Sequence, residues 1–254
     1  MLFRSSPRLF LDLKLQNIDR RARSPQTVYQ PSSEDAVQAQ LRWQHNNAST
    51  LVRIARRESL TGYTPLQLEQ ELRLDDRLAL RLDWGTQLPS QESLVLRMGG
   101  MKDRLGSSLR YQATRLDQFV VEHWRDKYQL QTGGQLGSGR NTALSYTHTY
   151  RLDAPTVDFG AFWSSHAYRR SDPAGLAGAD LAYLRYLPPQ SLPAGAGYFL
   201  PDNFSFYGVQ LSTNMRFERD YTRAIRPFAA VARTWHSQQG PGYSLRLGFA
   251  GSLL

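Results

Sequence analysis

The stretch that decides the fold is residues 207–218, which read YGVQLSTNMRFE. One parity carries Tyr207, Val209, Leu211, Met215 and Phe217, and the other carries Gly208, Gln210, Ser212, Asn214, Arg216 and Glu218. Successive side chains of a β-strand point to opposite faces, so this segment has one apolar face and one polar face. The period of two therefore predicts a strand that separates apolar from polar surroundings.

The same alternation extends in both directions, for example over Val37 to Trp43 and over Tyr243 to Leu253. It predicts about fourteen strands. Their approximate spans are 8–16, 35–45, 50–58, 66–74, 77–85, 93–101, 104–114, 118–126, 128–136, 141–151, 156–168, 204–218, 224–236 and 243–254. Three of these, 50–58, 118–126 and 224–236, are poorly patterned around their charged residues.

The composition excludes several classes of protein. The chain has 254 residues, a formal net charge of +9 and no cysteine, so disulfide scaffolds, thiolate metal sites and cysteine nucleophiles are excluded. Its longest uncharged stretch, 186–201, is interrupted by Pro188, Pro189 and Pro193 and cannot form a membrane-spanning helix. A membrane β-barrel remains compatible with the composition, because its strands need only alternate.

The connections favour a membrane barrel over a soluble sheet. Counted along the chain, the two long connections, 17–34 and 169–203, are both odd-numbered, whereas the even-numbered ones are tight. The other odd-numbered connections are 59–65, 86–92, 115–117, 137–140 and 237–242, and the tightest even-numbered ones are Asp75–Asp76, Lys102–Asp103 and Lys127. An up-and-down meander puts all odd connections at one end, matching the long external loops and short periplasmic turns of outer-membrane barrels. The alternative, a soluble β-sheet carbohydrate-binding protein, has no reason to sort loops in this way.

Aromatic residues on the apolar parity support the same fold. They are Trp43, Tyr150 and Phe217 near the tight turns, and Trp84, Tyr207, Trp235 and Tyr243 near the long loops. Amphipathic rings at both interfaces around an aliphatic band are the girdles expected in a bilayer. The sequence therefore predicts an all-β, up-and-down transmembrane β-barrel.

The opposite parity defines the candidate functional residues. It faces the lumen of a barrel too wide for side chains to fill, so the lumen is expected to hold water and to pass a hydrated polar solute. The candidate lumen-lining residues are Gln38, Gln40, Arg42, Glu69, Glu71, Arg73, Arg81, Asp83, Arg97, Arg110, Gln210, Asn214, Arg216, Glu218 and Arg246.

The connection 169–203 is a candidate gate. Loops of this length are usually functional, and Tyr183, Arg185 and Tyr186 are available there to stack on sugar rings. We expect the loop to fold over or into the pore mouth. A disordered external loop or a surface-recognition site is the alternative.

Signals of enzymatic activity are weak. Outer-membrane hydrolases use a Ser–His pair, but Ser145 and His148 fall on opposite parities. The sequence has no HExxH motif and no acidic EF-type loop, so no catalytic residue, metal or cofactor is expected. The arginines are spread over most strands instead of forming one basic stripe, which favours lumen and lipopolysaccharide contacts over nucleic acid.

Three segments carry a family resemblance: YFLPDNFSFYG at 198–208, IRPFA at 225–229 and GYSLRLGFAGS at 242–252. They resemble the C-terminal barrel of the Pel exopolysaccharide export porins, the PelB family. The resemblance implies passive export of an exopolysaccharide through the outer membrane of a Gram-negative bacterium, in support of biofilm matrix secretion. It also implies a barrel of about sixteen strands behind a periplasmic helical-repeat (TPR) scaffold that contacts export partners. Residues 1–254 are then expected to be a barrel that lacks that scaffold and about two strands.

The polymer implied by this resemblance is partly cationic. Glu69, Glu71, Asp83 and Glu218 are therefore expected to line an acidic track in the lumen. A general porin and a cellulose- or poly-glucosamine-type exporter stay open as alternatives of the same fold.

Overall fold

The computed structural model describes residues 8–20, 23–24, 27–28, 32–58, 62–90, 92–93, 96, 99–151, 156–171, 200–213 and 226–250. Fifteen strands are described in these ranges. They are β1 (Arg8–Arg20), β2 (Arg23–Ser24), β3 (Thr27–Val28), β4 (Ser32–His45), β5 (Ala48–Glu58), β6 (Gly62–Tyr63), β7 (Leu66–Arg73), β8 (Leu78–Pro89), β9 (Gly100–Gln112), β10 (Asp117–Leu130), β11 (Gln135–Arg151), β12 (Val157–Arg170), β13 (Phe204–Thr213), β14 (Arg226–His236) and β15 (Gly240–Ala250). No helix in these ranges is long and apolar enough to cross a membrane.

The long strands form one antiparallel sheet in which each pairs with the next along the chain. The order is β1-β4-β5-β7-β8-β9-β10-β11-β12-β13-β14-β15, with β6 added to β5, and β2 and β3 form a separate hairpin. The predicted up-and-down meander is therefore confirmed, and successive connections lie at alternate ends of the sheet. We call the end with the β1–β4 and β12–β13 connections the loop end and the opposite end the turn end.

The connections are sorted between the two ends largely as predicted. Asn46–Asn47 joins β4 to β5 at the turn end, and Asn46 has the left-handed conformation, with a φ of 44°, that two-residue hairpin turns require. The long connection 171–203 lies at the loop end. Two predictions were wrong. The connection predicted as 115–117 lies at the turn end, and the connection predicted as 137–140 lies inside β11, because the turn at the loop end is formed by 131–134.

Two predicted strand breaks are also wrong. The predicted strand 93–101 is not a separate strand, because β9 begins at Gly100 and runs through the predicted turn at Lys102–Asp103. The predicted break at Lys127 lies inside β10. Adjacent charged residues such as Lys102 and Asp103 are common in turns, which is why a turn was predicted. In a strand, however, two adjacent side chains point to opposite faces, so both can be charged. The main sheet accordingly has 13 strands, of which β6 is only two residues long.

The two faces of the sheet differ in polarity as the period predicts. Cross-strand register places Leu11 opposite Leu41 on one face. Large apolar side chains on this face are exposed, for example 49% for Leu211 and 45% for Leu144, on strands that have a neighbour on each side. Among the described strands, the extensive contacts are between hydrogen-bonded neighbours, and no second layer covers this face. An apolar surface this extended is typical of contact with a bilayer.

The aromatic girdles lie on the apolar face. Of the predicted girdle residues, those with exposed rings are Trp43 and Tyr150 near the turn end, and Trp84, Tyr207 and Tyr243 near the loop end. Trp235 stacks on Tyr207 with the ring centroids 5.5 Å apart. Phe217 lies outside the described residues. The observed rings fit the interfacial positions that the sequence predicts.

Fully buried apolar side chains occur at the loop end. Leu96, Leu130 and Leu200 are 0% exposed and belong to, or adjoin, three different connections at that end. Among the described residues the sheet has no second layer. The fully buried apolar side chains are therefore those that pack a connection against the barrel wall.

Candidate functional site

The polar face carries a hydrogen-bond network across β4, β5 and β7. Arg53 donates from Nε and Nη2 to Gln40 Oε1, at 3.2 and 3.1 Å, and from Nη1 to Gln67 Oε1, at 2.7 Å. The register favours this arrangement, because Arg53 lies opposite both glutamines. Gln67 in turn donates to Glu69 Oε1 at 2.9 Å. One arginine thus bridges three strands and leads into the acidic part of the face.

Ion pairs continue the network into β8 and β9. Arg81 lies 3.0 Å from Glu69 and 3.0 Å from Asp83. Arg110 lies 3.0 Å from Glu71. Partly exposed pairs of this kind each stabilise the fold by less than about 1 kcal/mol. Their consequence for the lumen is greater, because the three described carboxylates expected to form an acidic track are paired with arginines and the wall has mixed charge.

A cavity of about 530 Å³ lies against this wall near the turn end. The polar-face residues that line it include Arg42, Gln44, Ser49, Glu69, Glu71, Arg73 and Arg81, together with the Asn46–Asn47 turn. A surface of ions, amides and hydroxyl groups suits a hydrated solute, as the sequence predicts for the lumen.

Aromatic rings occupy the same face toward the loop end. His166 and Phe204 stack with ring centroids 4.2 Å apart, and His236 stacks on Phe204 at 4.7 Å. The Tyr168 ring lies 6.5 Å from Phe204. These four residues and Trp124, here called the aromatic cluster, line a cavity of about 430 Å³. Four strands, β10, β12, β13 and β14, contribute to the cluster.

A buried group of charges lies beside the aromatic cluster. Asp126 accepts two hydrogen bonds from Arg104, at 2.8 and 2.7 Å, and Lys102 Nζ lies 3.7 Å from it. Lys102 also lies 2.5 Å from Glu92, and the Tyr128 hydroxyl donates toward Glu92 Oε1 at 3.3 Å. We call these five residues the mouth cluster. Because Glu92 belongs to the β8–β9 connection, the cluster fixes that connection against the lumen wall.

Most candidate lumen residues lie on the polar face, as predicted. Those described there are Gln38, Gln40, Arg42, Glu69, Glu71, Arg73, Arg81, Asp83, Arg110, Gln210 and Arg246. The first nine are on β4 to β9, whereas the last two lie apart on β13 and β15. Outside the described residues are Arg97, Asn214, Arg216 and Glu218, and also Tyr183, Arg185 and Tyr186 of the candidate gate. What these side chains do in transport stays a prediction.

The Ser–His pair is divided between the two faces. Ser145 lies opposite Phe162 on the polar face, and His148 lies opposite Phe159 on the apolar face. His148 Nδ1 instead lies 2.7 Å from Asp117 Oδ1. Within the described ranges, no group of histidine and acidic side chains is arranged to hold a metal ion.

Several lumen residues were missed in the sequence. Arg53 lies on a strand with arginines on both parities, and only the register shows that it faces inward while Arg56 lies opposite Val37 on the apolar face. Trp124 and Asp126 share the inward parity of Glu122, but the poor pattern of the predicted strand 118–126 obscured which parity faces inward. The aromatic cluster was missed because only polar residues were considered for the lumen.

An antiparallel meander with a polar inner face, an apolar outer face and aromatic girdles defines the class of the protein, an outer-membrane β-barrel. A family profile described as "PelB, C-terminal beta barrel domain" matches residues 3–254. The chain belongs to this family. Its resemblance to the PelB barrel is therefore confirmed, and so is its location in the outer membrane of a Gram-negative bacterium.

One solved structure supports the fold, and the similarity of a second is too weak to do so. The chain is similar to a bacterial polysaccharide outer membrane secretin, with a TM-score of 0.59 and 12% identity over 86% of this chain and 69% of that chain. It is also similar to a NanC porin, with a TM-score of 0.42 and 15% identity over 87% of this chain and 94% of that chain. No curated protein matches the chain. The family is one of export porin barrels and not of enzymes.

Neutralising Arg81 is expected to make the channel more selective for cations. Arg81→Gln leaves Glu69 and Asp83 without their arginine, so the wall becomes more negative. The reversal potential of the reconstituted barrel in a KCl gradient should shift toward the potassium equilibrium potential. Arg125→Gln removes the same charge from the outward face of β10 and should leave the reversal potential unchanged. Equal shifts in the two variants contradict the assignment of the faces.

Proposed function

We propose that the chain is an outer-membrane channel for a Pel-type polysaccharide and that the polymer moves along the polar face from the turn end to the loop end. The observation that carries the proposal is the aromatic cluster on the same face as the amide and charged network. Rings that face water have no role in holding the barrel in lipid, whereas they match the C–H faces of sugar rings.

The network offers contacts that a moving polymer can exchange. The amides of Gln40 and Gln67 and the guanidinium of Arg53 can hydrogen-bond sugar hydroxyls, and they bond to one another when the sugar leaves. Passage needs binding that is favourable enough to enter and weak enough to release. Side chains that already satisfy each other meet this need, so no energy source is required at the membrane step.

The aromatic cluster also suits a polymer with amino groups. The Arg104 guanidinium lies 5.2 Å from the Trp124 ring, so this ring already accepts a cation over its face. A protonated amino sugar over another ring of the aromatic cluster gains about 0.5–2 kcal/mol in the same way. A cationic polymer is thereby accommodated without an unpaired acidic track.

The partners follow from the two ends of the barrel. We place lipopolysaccharide around the loop end, which faces outside, and the periplasmic export partners at the turn end. The family resemblance supports a longer protein in which residues 1–254 form the barrel domain and a TPR scaffold delivers the polymer from the periplasm. In this arrangement the barrel serves secretion of the biofilm matrix.

Removing the Trp124 ring is expected to weaken the interaction with sugar. The measurement is block of single-channel current by oligosaccharides of the exported polymer. Trp124→Ala should shorten the blocked times by about tenfold, since a ring stacked on a sugar or amine contributes roughly 1–2 kcal/mol. Trp163→Ala removes an equal ring from the apolar face of β12 and is the matched control. Unchanged block in Trp124→Ala, or an equal loss in Trp163→Ala, contradicts the proposed path.

A further inference from the structure

Four cations lie together on the outward face of β10, β11 and β12 near the loop end. Arg125 is directly opposite Arg140, and both Lys127 and Arg169 lie opposite Ser138. All four cationic side chains are exposed. We call these four residues the basic patch. By register it lies on the lipid-facing side of the barrel wall, and Arg140 also borders the cavity of the aromatic cluster.

Within the described part of the chain, none of the four residues of the basic patch forms an ion pair or a side-chain hydrogen bond. Asp103 lies opposite Lys127, and its Oδ1 accepts from Thr86 Oγ1 at 2.7 Å and from the Gln87 backbone N–H at 2.9 Å. One carboxylate lowers the charge of the four cations but does not cancel it. Two like charges directly opposite on a sheet destabilise it. The repulsion between Arg125 and Arg140 therefore destabilises the sheet, and an anion bound between them would offset it.

Part of the floor of the basic patch is apolar. A hollow of about 730 Å³ is lined by the patch, by the apolar side chains of Trp84, Leu105 and Ala167, and by polar residues that include Thr86, Asp103, Arg104, Asp126 and Tyr168. Leu105 is 63% exposed beside Arg125. A ligand that fits this hollow must combine negative charge with apolar chains.

The depth of the basic patch matches the lipid headgroups. On the same strands the last apolar row toward the loop end is Val121, Leu144 and Trp163. His123 and Thr142 follow on the next row, and Arg125 and Arg140 come after them. The cations therefore lie just beyond the apolar band, on the side that faces the cell exterior.

We propose that the basic patch is a binding site for the phosphorylated headgroup of lipopolysaccharide. Guanidinium groups bind phosphate through two parallel hydrogen bonds, and the apolar part of the floor accepts the start of an acyl chain. Anionic lipid with sugar-borne phosphates is the outer-leaflet component that combines these features. The inference rests on the proposed function only for the orientation of the barrel, with the loop end outside.

The test measures lipid A bound to the full-length chain in nanodiscs of phosphatidylethanolamine, by native mass spectrometry. Bisphosphorylated lipid A and the same lipid after removal of its phosphates are the two probes. The wild-type chain should retain the phosphorylated form, and R125Q/R140Q should bind it about tenfold more weakly, because two of its four solvent-exposed cations are lost. The dephosphorylated form should bind every chain weakly.

Arg233→Gln is the matched control. Arg233 is also an outward arginine toward the loop end, but it lies over the rings of Trp235 and Tyr243, at 4.9 and 5.5 Å, away from the patch. This variant should keep wild-type affinity for lipid A. Equal affinity of R125Q/R140Q and the wild type, or equal binding of both probes, overturns the proposal.

Melting temperature and oligosaccharide block are measured separately on the same protein samples, so that folding and channel function can be distinguished. Without lipopolysaccharide, R125Q/R140Q should resist heat at least as well as the wild type, since two opposed like charges are gone. A lower melting temperature in lipopolysaccharide-free nanodiscs counts against the basic patch. Oligosaccharide block should be equal in the wild type and in Arg125→Gln, whose residue does not line the cavity of the aromatic cluster. If oligosaccharides do not block the wild-type channel, the proposed export path is wrong, whereas the conclusion on lipid A binding is unaffected.

Discussion

Leu211→Arg is expected to destabilise the barrel in a bilayer by about 2–4 kcal/mol, the cost of an arginine on the lipid face near the midplane. Leu211 is 49% exposed and lies opposite Phe159 and Val231 on the apolar face. Its neighbour Gln210 lies opposite Gly160 on the polar face. Gln210→Arg should therefore stay within about 0.5 kcal/mol of the wild type, as expected for a solvated position.

Urea unfolding of the two variants in phospholipid vesicles measures this difference. The pair is closely matched, because the same arginine is introduced at adjacent positions of β13. Equal destabilisation by both substitutions, or a greater loss in Gln210→Arg, contradicts the assignment of lipid to the apolar face.

Asp126→Ala is expected to lower the free energy of unfolding by about 3–5 kcal/mol, the cost of leaving a buried charge without its partner. The Asp126 side chain is 3% exposed and accepts both hydrogen bonds of the Arg104 fork. Its removal leaves Arg104 unpaired beside the lumen wall and takes a carboxylate away from Lys102. The connection held by Glu92 should loosen as a result.

Asp83→Ala is the control for the mouth cluster. The Asp83 side chain is more exposed, at 18%, and its partner Arg81 keeps a second carboxylate in Glu69. The expected loss is less than about 1 kcal/mol. Thermal unfolding in detergent should separate the two variants clearly. Similar melting temperatures for both would show that the mouth cluster is no more buried than the rest of the wall.

The period of two was enough to predict the meander and its two faces. In residues 207–213 of β13 and in β15, apolar and polar residues alternate without a conflicting signal, so parity alone places Leu211 outward and Gln210 inward. The strand breaks were less predictable. Lys102–Asp103 resembles a turn in sequence, but in the sheet Lys102 pairs with Glu92 while Asp103 binds Thr86 on the opposite face.

The contacts within the lumen depend on register, which parity does not define. Glu71 pairs with Arg110 across β8, and the two residues are far apart in sequence. Glu92 comes from a connection that the pattern assigned partly to a strand, so the mouth cluster could not be assembled beforehand. The aromatic cluster was not predicted for a different reason. Tyr168 and Phe204 are apolar enough to suggest a lipid-facing position, and only their pairing with neighbouring strands shows that they point inward.

The most direct test of the two faces is a single-cysteine scan along β13. The chain contains no cysteine, so each introduced thiol is unique. We expect spin labels at 207, 209 and 211 to be relaxed by oxygen dissolved in the lipid, and labels at 206, 210 and 212 to be relaxed by a water-soluble nickel complex. A flat profile along the strand, or one with the two sets exchanged, contradicts a barrel with lipid outside and water within.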